Sequence, residues 1–212
     1  CTPPTLGGAT SVCVGSTASV TPATGGTWAS SNTAVATVTN AGVVTGVAAG
    51  TVTLTFTNST TGCSNTKSFT VNALPTLGGA TQVCIGSTAN VTPATGGTWA
   101  SSNTAVATVT NAGVVTGVAA GDVTLTYTNT STGCVSTWLF TVDPKPEVNA
   151  GSNFETCASD GIVELYGTSS NTSAIAWTTS GTGTFSTNSA LKTRYTLSTQ
   201  DLSLNSLTFT LT

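Results

Sequence analysis

Cysteine is the residue type in this chain whose spacing most directly indicates a chemistry. The six cysteines are Cys1, Cys13, Cys63, Cys84, Cys134 and Cys157. Cys13 lies 50 residues before Cys63, and Cys84 lies 50 residues before Cys134. The equal spacing predicts one disulfide within each pair, worth about 4 kcal/mol for a loop of this length in the chain-entropy model. Buried free thiols are the alternative, and a metal site is disfavoured because no histidine or CxxC pair is present.

Side chains for acid–base or nucleophilic catalysis are scarce. The chain has no histidine, and residues 4–74 contain no carboxylate. Because glycoside hydrolysis needs two carboxyl groups in one cleft, this stretch cannot perform it. Glu155, Asp160 and Glu164 form an acidic cluster that could ligate Ca²⁺ through oxygen, but there is no Asp-x-Asp loop, so solvated surface charge is the better interpretation. We therefore expect no enzyme activity, no cofactor and no metal site.

The cysteine pairs sit in a tandem repeat with a period of 71 residues. Residues 4–74 (repeat 1) and 75–145 (repeat 2) are identical at 57 of 71 positions. A period this long predicts whole domains in series. Residues 1–3 are then the end of a preceding linker. Residues 146–212 have a different sequence and predict a third β-domain, truncated at its carboxyl end.

Each repeat has the pattern of a small β-sandwich. Threonine and valine dominate, and Val52, Leu54 and Phe56 alternate with threonines in the period of two that is typical of a half-buried strand. Asn40-Ala41-Gly42 predicts a tight hairpin loop in which the glycine adopts a positive φ. About seven short strands separated by turns favour two packed sheets. The predicted fold class is all-β, with the sandwiches arranged end to end.

Four tryptophans are the candidate anchors or ligand contacts. Trp28, Trp99 and Trp177 are expected in domain cores, because large aromatic side chains are usually buried; exposed sugar-stacking platforms are the alternative. Trp138 differs, because its counterpart in repeat 1 is Lys67. A position that accepts both residues predicts a surface or a junction with the third domain, where Trp138 could contact a ligand.

Composition excludes several other classes of protein. Only 5% of the residues are charged and the net charge is −3, which argues against nucleic-acid binding. No apolar stretch approaches the roughly 20 residues of a membrane-spanning helix. Bridged cysteines imply an oxidising environment. Because Cys1 follows no initiator methionine, we expect a fragment of a longer chain. Within this fragment we expect Cys1 and Cys157 to be unpaired, with the partner of Cys157 beyond the carboxyl end.

The segments Trp28–Val38, Gly42–Val47 and Gly50–Leu54, which recur in repeat 2, closely resemble the bacterial Ig-like group 2 domain. The resemblance implies an Ig-like or invasin/intimin-like sandwich. The third domain, with Cys157, Trp177–Phe185 and Tyr195, looks like the PKD-like modules of very large Bacteroidetes surface proteins. The combination is similar to repetitive gliding-motility adhesins of the SprB type, which are exported by the type IX secretion system.

We therefore expect an extracellular stalk segment of a cell-surface adhesin or filament. Its partners would be neighbouring repeats of the same chain, and the secretion machinery during export. The alternative is a carbohydrate-binding module that recognises surface polysaccharide through exposed aromatic side chains such as Trp138.

Overall fold

The structure, a computed structural model, describes residues 1–157 and 161–212. These form two compact units, an N-terminal unit from Cys1 to Asp143 and a C-terminal unit from Pro144 to Thr212. Asp160, assigned above to an acidic cluster, lies outside the described residues. The described residues contain β-strands and one short 3-10 turn, so the prediction of an all-β chain with tandem Ig-like domains is confirmed.

Repeat 1 is a sandwich of two four-stranded sheets. Its strands are β1 (Gly7–Gly8), β2 (Ser11–Cys13), β3 (Thr17–Thr21), β4 (Gly26–Ser30), β5 (Ala36–Val38), β6 (Val43–Gly46), β7 (Gly50–Asn58) and β8 (Ser64–Asn72). One sheet has the order β1-β3-β6-β5 and the other the order β2-β8-β7-β4. The neighbours pair antiparallel except β2 and β8, which run parallel with Cys13 opposite Asn72. That register fixes which end of the sandwich carries Cys13.

Repeat 2 has the same architecture. Its strands are β9 (Gly78–Gly79), β10 (Gln82–Cys84), β11 (Thr88–Thr92), β12 (Gly97–Ser101), β13 (Ala107–Val109), β14 (Val114–Gly117), β15 (Gly121–Asn129) and β16 (Val135–Asp143). The parallel pair is β10 with β16, and it places Cys84 opposite Asp143. In both repeats the second strand is short and lies beside the end of the last strand.

The core of each repeat follows from the period-two pattern of its long strands. Val52, Leu54 and Phe56 of β7 are at most 2% exposed, while the intervening threonines point outward. They pack against inward-facing residues of both sheets, among them Val20 and Val44. The cluster in repeat 2 uses the equivalent positions, with Tyr127 in place of Phe56. Because successive side chains of a strand point to opposite faces, the alternation of apolar and hydroxyl side chains gives each sheet one apolar face that is buried in the core.

The predicted hairpin glycine is confirmed. Gly42 has φ 76°, and a Cβ atom there would run into the carbonyl oxygen of Val20. Asn40 in the same turn accepts a hydrogen bond from the backbone N–H of Trp28 at 3.2 Å. The turn therefore closes onto the neighbouring strands of both sheets and helps to position the core tryptophan.

The C-terminal unit has a smaller core and shorter strands. They are β17 (Glu147–Asn149), β18 (Ile162–Tyr166), β19 (Thr168–Ser170), β20 (Trp177–Thr179), β21 (Thr184–Phe185), β22 (Lys192–Thr196) and β23 (Phe209–Leu211), with a 3-10 turn at Asp201–Ser203. They pair as β18-β22-β21, β17-β19 and β20-β23. Trp177 and Tyr195 are at the centre of the core, each at most 1% exposed.

Candidate functional site

The disulfides mark the ends of the repeats. Cys1 is bonded to Cys63, with their Cα atoms 5.9 Å apart. Cys13 of repeat 1 is bonded to Cys134 of repeat 2, with their Cα atoms 5.7 Å apart. The second bridge covalently joins the two sandwiches. This pairing corrects the prediction of one bridge within each repeat, and it gives Cys1 a partner that the sequence did not indicate.

The length of the last strand explains why the predicted pairing is wrong. Cys63 comes directly before β8, whereas Cys13 lies beside Asn72 at the far end of the same strand. Nine residue steps separate Cys63 from Asn72, and at about 3.3 Å per step they span about 30 Å. A disulfide needs Cα atoms within about 7 Å. The same argument separates Cys84 from Cys134 across β16.

The tight turn before the last strand presents the bridging cysteine of each repeat. In repeat 1 the side-chain oxygen of Asn58 accepts the backbone N–H groups of Thr60 and Thr61, both at 2.9 Å. Asn129 makes the equivalent pair of bonds in repeat 2. Asparagine side chains commonly close turns in this way. Asn58 and Asn129, each the first residue of an Asn-x-Ser/Thr triplet, thus close the turns that position the cysteines.

The start of the last strand, directly after this turn, contacts the chain that enters the repeat. The side-chain amide of Asn65 donates to the carbonyl oxygen of Pro4 at 2.9 Å. Ser136, at the equivalent position, donates to the carbonyl oxygen of Pro75 at 2.8 Å. Each turn cysteine therefore lies at the N-terminal end of its sandwich and bonds to a residue outside or at the edge of that sandwich. The junction between the repeats has two covalent connections, the linker and the Cys13–Cys134 bridge.

Two cysteines carry exposed free thiols among residues 1–157 and 161–212, namely Cys84 and Cys157. Cys84 is the repeat-2 counterpart of Cys13, so its free thiol is a second correction of the predicted pairing. The sequence could not distinguish Cys84 from Cys13, because the two share almost the same local sequence.

The three candidate core tryptophans lie inside their domains. Trp28 and Trp99 are each 6% exposed, and Trp177 is 1% exposed. Each indole N–H is satisfied by a backbone carbonyl, that of Pro22 for Trp28 and that of Ala190 for Trp177. A buried ring whose single donor is already bonded has no free face or donor for a sugar. These residues act as packing anchors.

Trp138 is half-buried within repeat 2. Its ring packs against the core of that repeat, and its indole N–H donates to the carbonyl oxygen of Ala80 at 2.9 Å. Lys67 reaches the same edge in repeat 1, where its ammonium group donates to the carbonyl oxygens of Gly7 and Gly8 at 2.7 and 2.8 Å. Both side chains donate a hydrogen bond to the backbone at the short edge strand of their repeat, either within the strand or directly after it. This common hydrogen bond explains why the same position accepts lysine in one repeat and tryptophan in the other.

The C-terminal unit contains a buried carboxylate, Asp201, that the sequence did not indicate as a site residue. Asp201 is 3% exposed and accepts the backbone N–H groups of Thr182, Gly183 and Ser198 at 2.8 to 3.0 Å. It also accepts the hydroxyl of Tyr195 at 2.8 Å. Burial opposes ionisation of the Asp201 carboxyl, but these donors together hold its pKa well below the usual range. The group is a structural anchor, because every contact is to the unit's own chain.

An exposed charged cluster lies on the outer face of β18 and β22. Arg194 donates to Glu164 at 2.9 Å, and the ammonium group of Lys192 lies 4.9 Å from the centre of the Tyr166 ring. The hydroxyl of Tyr166 and the guanidinium of Arg194 lower the pKa of the Glu164 carboxyl. The charges of the cluster are thus paired with one another. No group of three potential metal ligands occurs in the described part of the chain.

A shallow cavity of about 730 Å³ lies beside β17 and β19 in the C-terminal unit. It is lined by Lys145–Ala150 and Thr168–Ser170, and none of these residues is aromatic. It therefore offers no stacking surface for a sugar ring. Within the described residues, no helix is sufficiently long and apolar to span a membrane.

A family model describing the bacterial Ig-like domain (group 2) matches the chain twice, over residues 7–71 and 65–137. The two matches together take in more than half of the 212 residues. The chain belongs to the bacterial Ig-like group 2 family. In terms of that family, repeats 1 and 2 are consecutive group 2 domains, and the Cys13–Cys134 bridge joins one domain to the next.

Solved structures similar to this chain include an S-layer protein, invasin and intimin. Domains 4 and 5 of the S-layer protein SbsC are 22% identical, with 60% of this chain and 82% of that chain covered and a TM-score of 0.27. Invasin, described as a bacterial integrin-binding protein, is 16% identical over 69% of this chain and 40% of its own, with a TM-score of 0.44.

A 282-residue C-terminal fragment of intimin, solved with the intimin-binding domain of its translocated receptor, is 16% identical. The match covers 68% of this chain and 63% of that fragment, with a TM-score of 0.39. No curated protein sequence matches the chain. At these identities the likeness concerns the fold, so the assignment to the group 2 family rests on the family model.

Proposed function

We propose that this chain is a spacer segment in the extracellular stalk of a large cell-surface adhesin, of the repetitive type that supports adhesion and gliding motility. The observation that carries the proposal is the Cys13–Cys134 bridge between successive group 2 domains. A linker alone lets neighbouring domains reorient, whereas a second covalent connection restricts that freedom. Two disulfides also require an oxidising environment, as outside the cell.

The sparse charge of repeat 1 supports a passive role. No buried side-chain nitrogen or oxygen lacks a hydrogen-bond partner among the described residues. The outer strand faces of repeat 1 carry threonine and serine, and its single charged side chain, Lys67, is bonded to its own edge strand. Contacts that depend little on charge would also depend little on salt.

A replacement experiment tests the spacer role. In the full-length protein, residues 4–145 are either deleted or replaced by two unrelated Ig-like domains of similar length, and adhesion and gliding are measured. A spacer predicts that deletion reduces both activities and that replacement restores them. Failure of the replacement, with normal surface display of the protein, would show that these residues recognise something themselves.

The alternative, a carbohydrate-binding module, is tested on the isolated chain with a glycan array. The half-buried Trp138 and the exposed Tyr166 are the aromatic side chains to replace, each by alanine. The spacer role predicts no saturable binding by the wild-type chain. Saturable binding that is lost in either variant would favour recognition of polysaccharide over the spacer role.

A further inference from the structure

The bridge between the repeats determines how tension can pass through the N-terminal unit. Cys13 and Cys134 are 121 residues apart in the sequence. A covalent bond between them places residues 14–133 in a closed loop. A force applied at the two ends of the unit passes along the shortest covalent path, so the loop carries none of it. This inference rests on the proposed stalk role for its biological meaning, but the mechanical argument is independent of it.

Both parts of the shortest path are close to fully extended in the folded protein. It runs from Cys1 to Cys13 in twelve residue steps, crosses the bridge, and continues from Cys134 to Asp143 in nine. The nine steps are strand β16, which is already extended. The twelve steps cross repeat 1 between its two ends, a distance of about 30 Å set by strand β8. Fully stretched at about 3.4 Å per residue, they would reach about 40 Å, so only about 10 Å of slack exists.

We propose that the Cys13–Cys134 bridge limits the extension of the N-terminal unit under load to the small slack of this path. While the bridge is intact, tension is transmitted from the first strands of repeat 1 directly to β16, and residues 14–133, which make up most of both sandwiches, are protected from unfolding by force. Reduction of the bridge by an external dithiol, which is itself oxidised to a disulfide, transfers two electrons and two protons to the bridge, yields two thiols, and releases the loop. The unit would then lengthen by hundreds of ångströms under load.

The other bridge does not have this effect. The Cys1–Cys63 bond closes a loop of 62 residues, but the path through Cys13 is shorter than the path through Cys63. Removing Cys1–Cys63 therefore leaves the shortest path unchanged. When the Cys13–Cys134 bridge is removed, the shortest path instead crosses the Cys1–Cys63 bridge and follows the chain from Cys63 to Asp143, which is 80 residue steps long. The chain thus contains its own matched control, one disulfide whose loss should lengthen the unit and one whose loss should not.

Single-molecule force spectroscopy on the whole chain, held by handle proteins at both ends, tests the proposal. At about 3.4 Å per residue plus the bridge, the stretched span from residue 1 to residue 143 should be about 75 Å for the oxidised wild type. The double variant Cys13→Ser with Cys134→Ser should reach about 280 Å, and the chain reduced with dithiothreitol about 480 Å. The variant Cys1→Ser with Cys63→Ser should stay at about 75 Å. Residues 144–212 lengthen equally in every sample, so differences between samples report the N-terminal unit.

Two results would overturn the proposal. Bridges within each repeat, Cys13 to Cys63 and Cys84 to Cys134, would give an oxidised span of about 155 Å. Equal lengthening of the two double variants would show that Cys13–Cys134 is not the path that carries the load. Bridges within each repeat would also remove the observation on which the spacer proposal rests, whereas equal lengthening of the two double variants would leave it in place. The replacement experiment in cells tests the spacer role separately.

Discussion

The exchange of Phe56 and Tyr127 between the repeats offers a sensitive test of how the cores are built. The Tyr127 hydroxyl donates to the carbonyl oxygen of Thr95 at 2.7 Å, and the residue is 1% exposed. The two rings occupy the same place. The Phe56 ring lies 5.2 Å from that of Trp28 at 56°, and the Tyr127 ring lies 5.1 Å from that of Trp99 at 59°. One hydroxyl is therefore the principal difference between the two sites.

The perturbation is Tyr127→Phe, with Phe56→Tyr as the reciprocal change. A net intramolecular hydrogen bond contributes about 1 kcal/mol, so Tyr127→Phe should reduce the free energy of unfolding of repeat 2 by about that amount. Phe56→Tyr places a hydroxyl next to the carbonyl oxygen of Thr24, which is the counterpart of Thr95. It should therefore stabilise repeat 1, by at most about 1 kcal/mol.

Native-state hydrogen exchange measured by NMR resolves the two repeats. The core amides of β15 should exchange about fivefold faster in Tyr127→Phe, which corresponds to about 1 kcal/mol. The amides of β7 serve as the internal reference, and in Phe56→Tyr they should exchange more slowly. Unchanged exchange in Tyr127→Phe would refute the assignment of stability to the hydroxyl. Faster exchange of the β7 amides in Phe56→Tyr would show instead that the hydroxyl does not fit beside Gly25 and Gly26.

Three further perturbations address the turn, the buried carboxylate and the edge tryptophan. Gly42→Ala should lower the unfolding free energy by at least about 1 kcal/mol more than Gly62→Ala, because both glycines have positive φ but only Gly42 has a backbone oxygen behind it; urea unfolding of the two variants gives the difference. Because the pKa of Asp201 is lowered on folding, its stabilising contribution is present above the pKa of about 4 in the unfolded chain and is lost as the pH falls below that value; urea unfolding followed by the NMR signals of the β22 amides should show this loss in the wild type and a flatter profile in Asp201→Asn. Trp138→Phe should cost repeat 2 about 1 kcal/mol through the lost hydrogen bond to the edge strand, and unchanged exchange of the β16 amides would contradict that role.

The fold was predictable from local patterns for a physical reason. The alternation of apolar residues and threonines in β7 predicts which side chains face inward, because side chains of a strand alternate between its two faces. The hairpin glycine at position 42 is required by a backbone conformation that other residues rarely adopt. A period of 71 residues then predicts that both sandwiches share one architecture, as the matched strands of repeats 1 and 2 show.

The same local signals did not extend to Lys67, Trp138 and Asp201. Lysine and tryptophan have little in common as side chains, and their shared role appears only when each is seen to donate across the sandwich to the edge of the opposite sheet. In the sequence Asp201 cannot be distinguished from a surface carboxylate. The three backbone donors that surround it come from two separate loops, which only the fold brings together.

The sequence alone determined that this protein is a series of β-sandwiches, because repeat, strand period and turn glycines are properties of neighbouring residues. Only the tertiary structure decided which cysteines are bonded. Spacing of 50 residues measures distance along the chain, whereas a disulfide depends on distance in space. A nine-residue final strand places the two cysteines of each repeat at opposite ends of the sandwich, and the folded order of the domains then brings Cys13 to the cysteine of the next repeat.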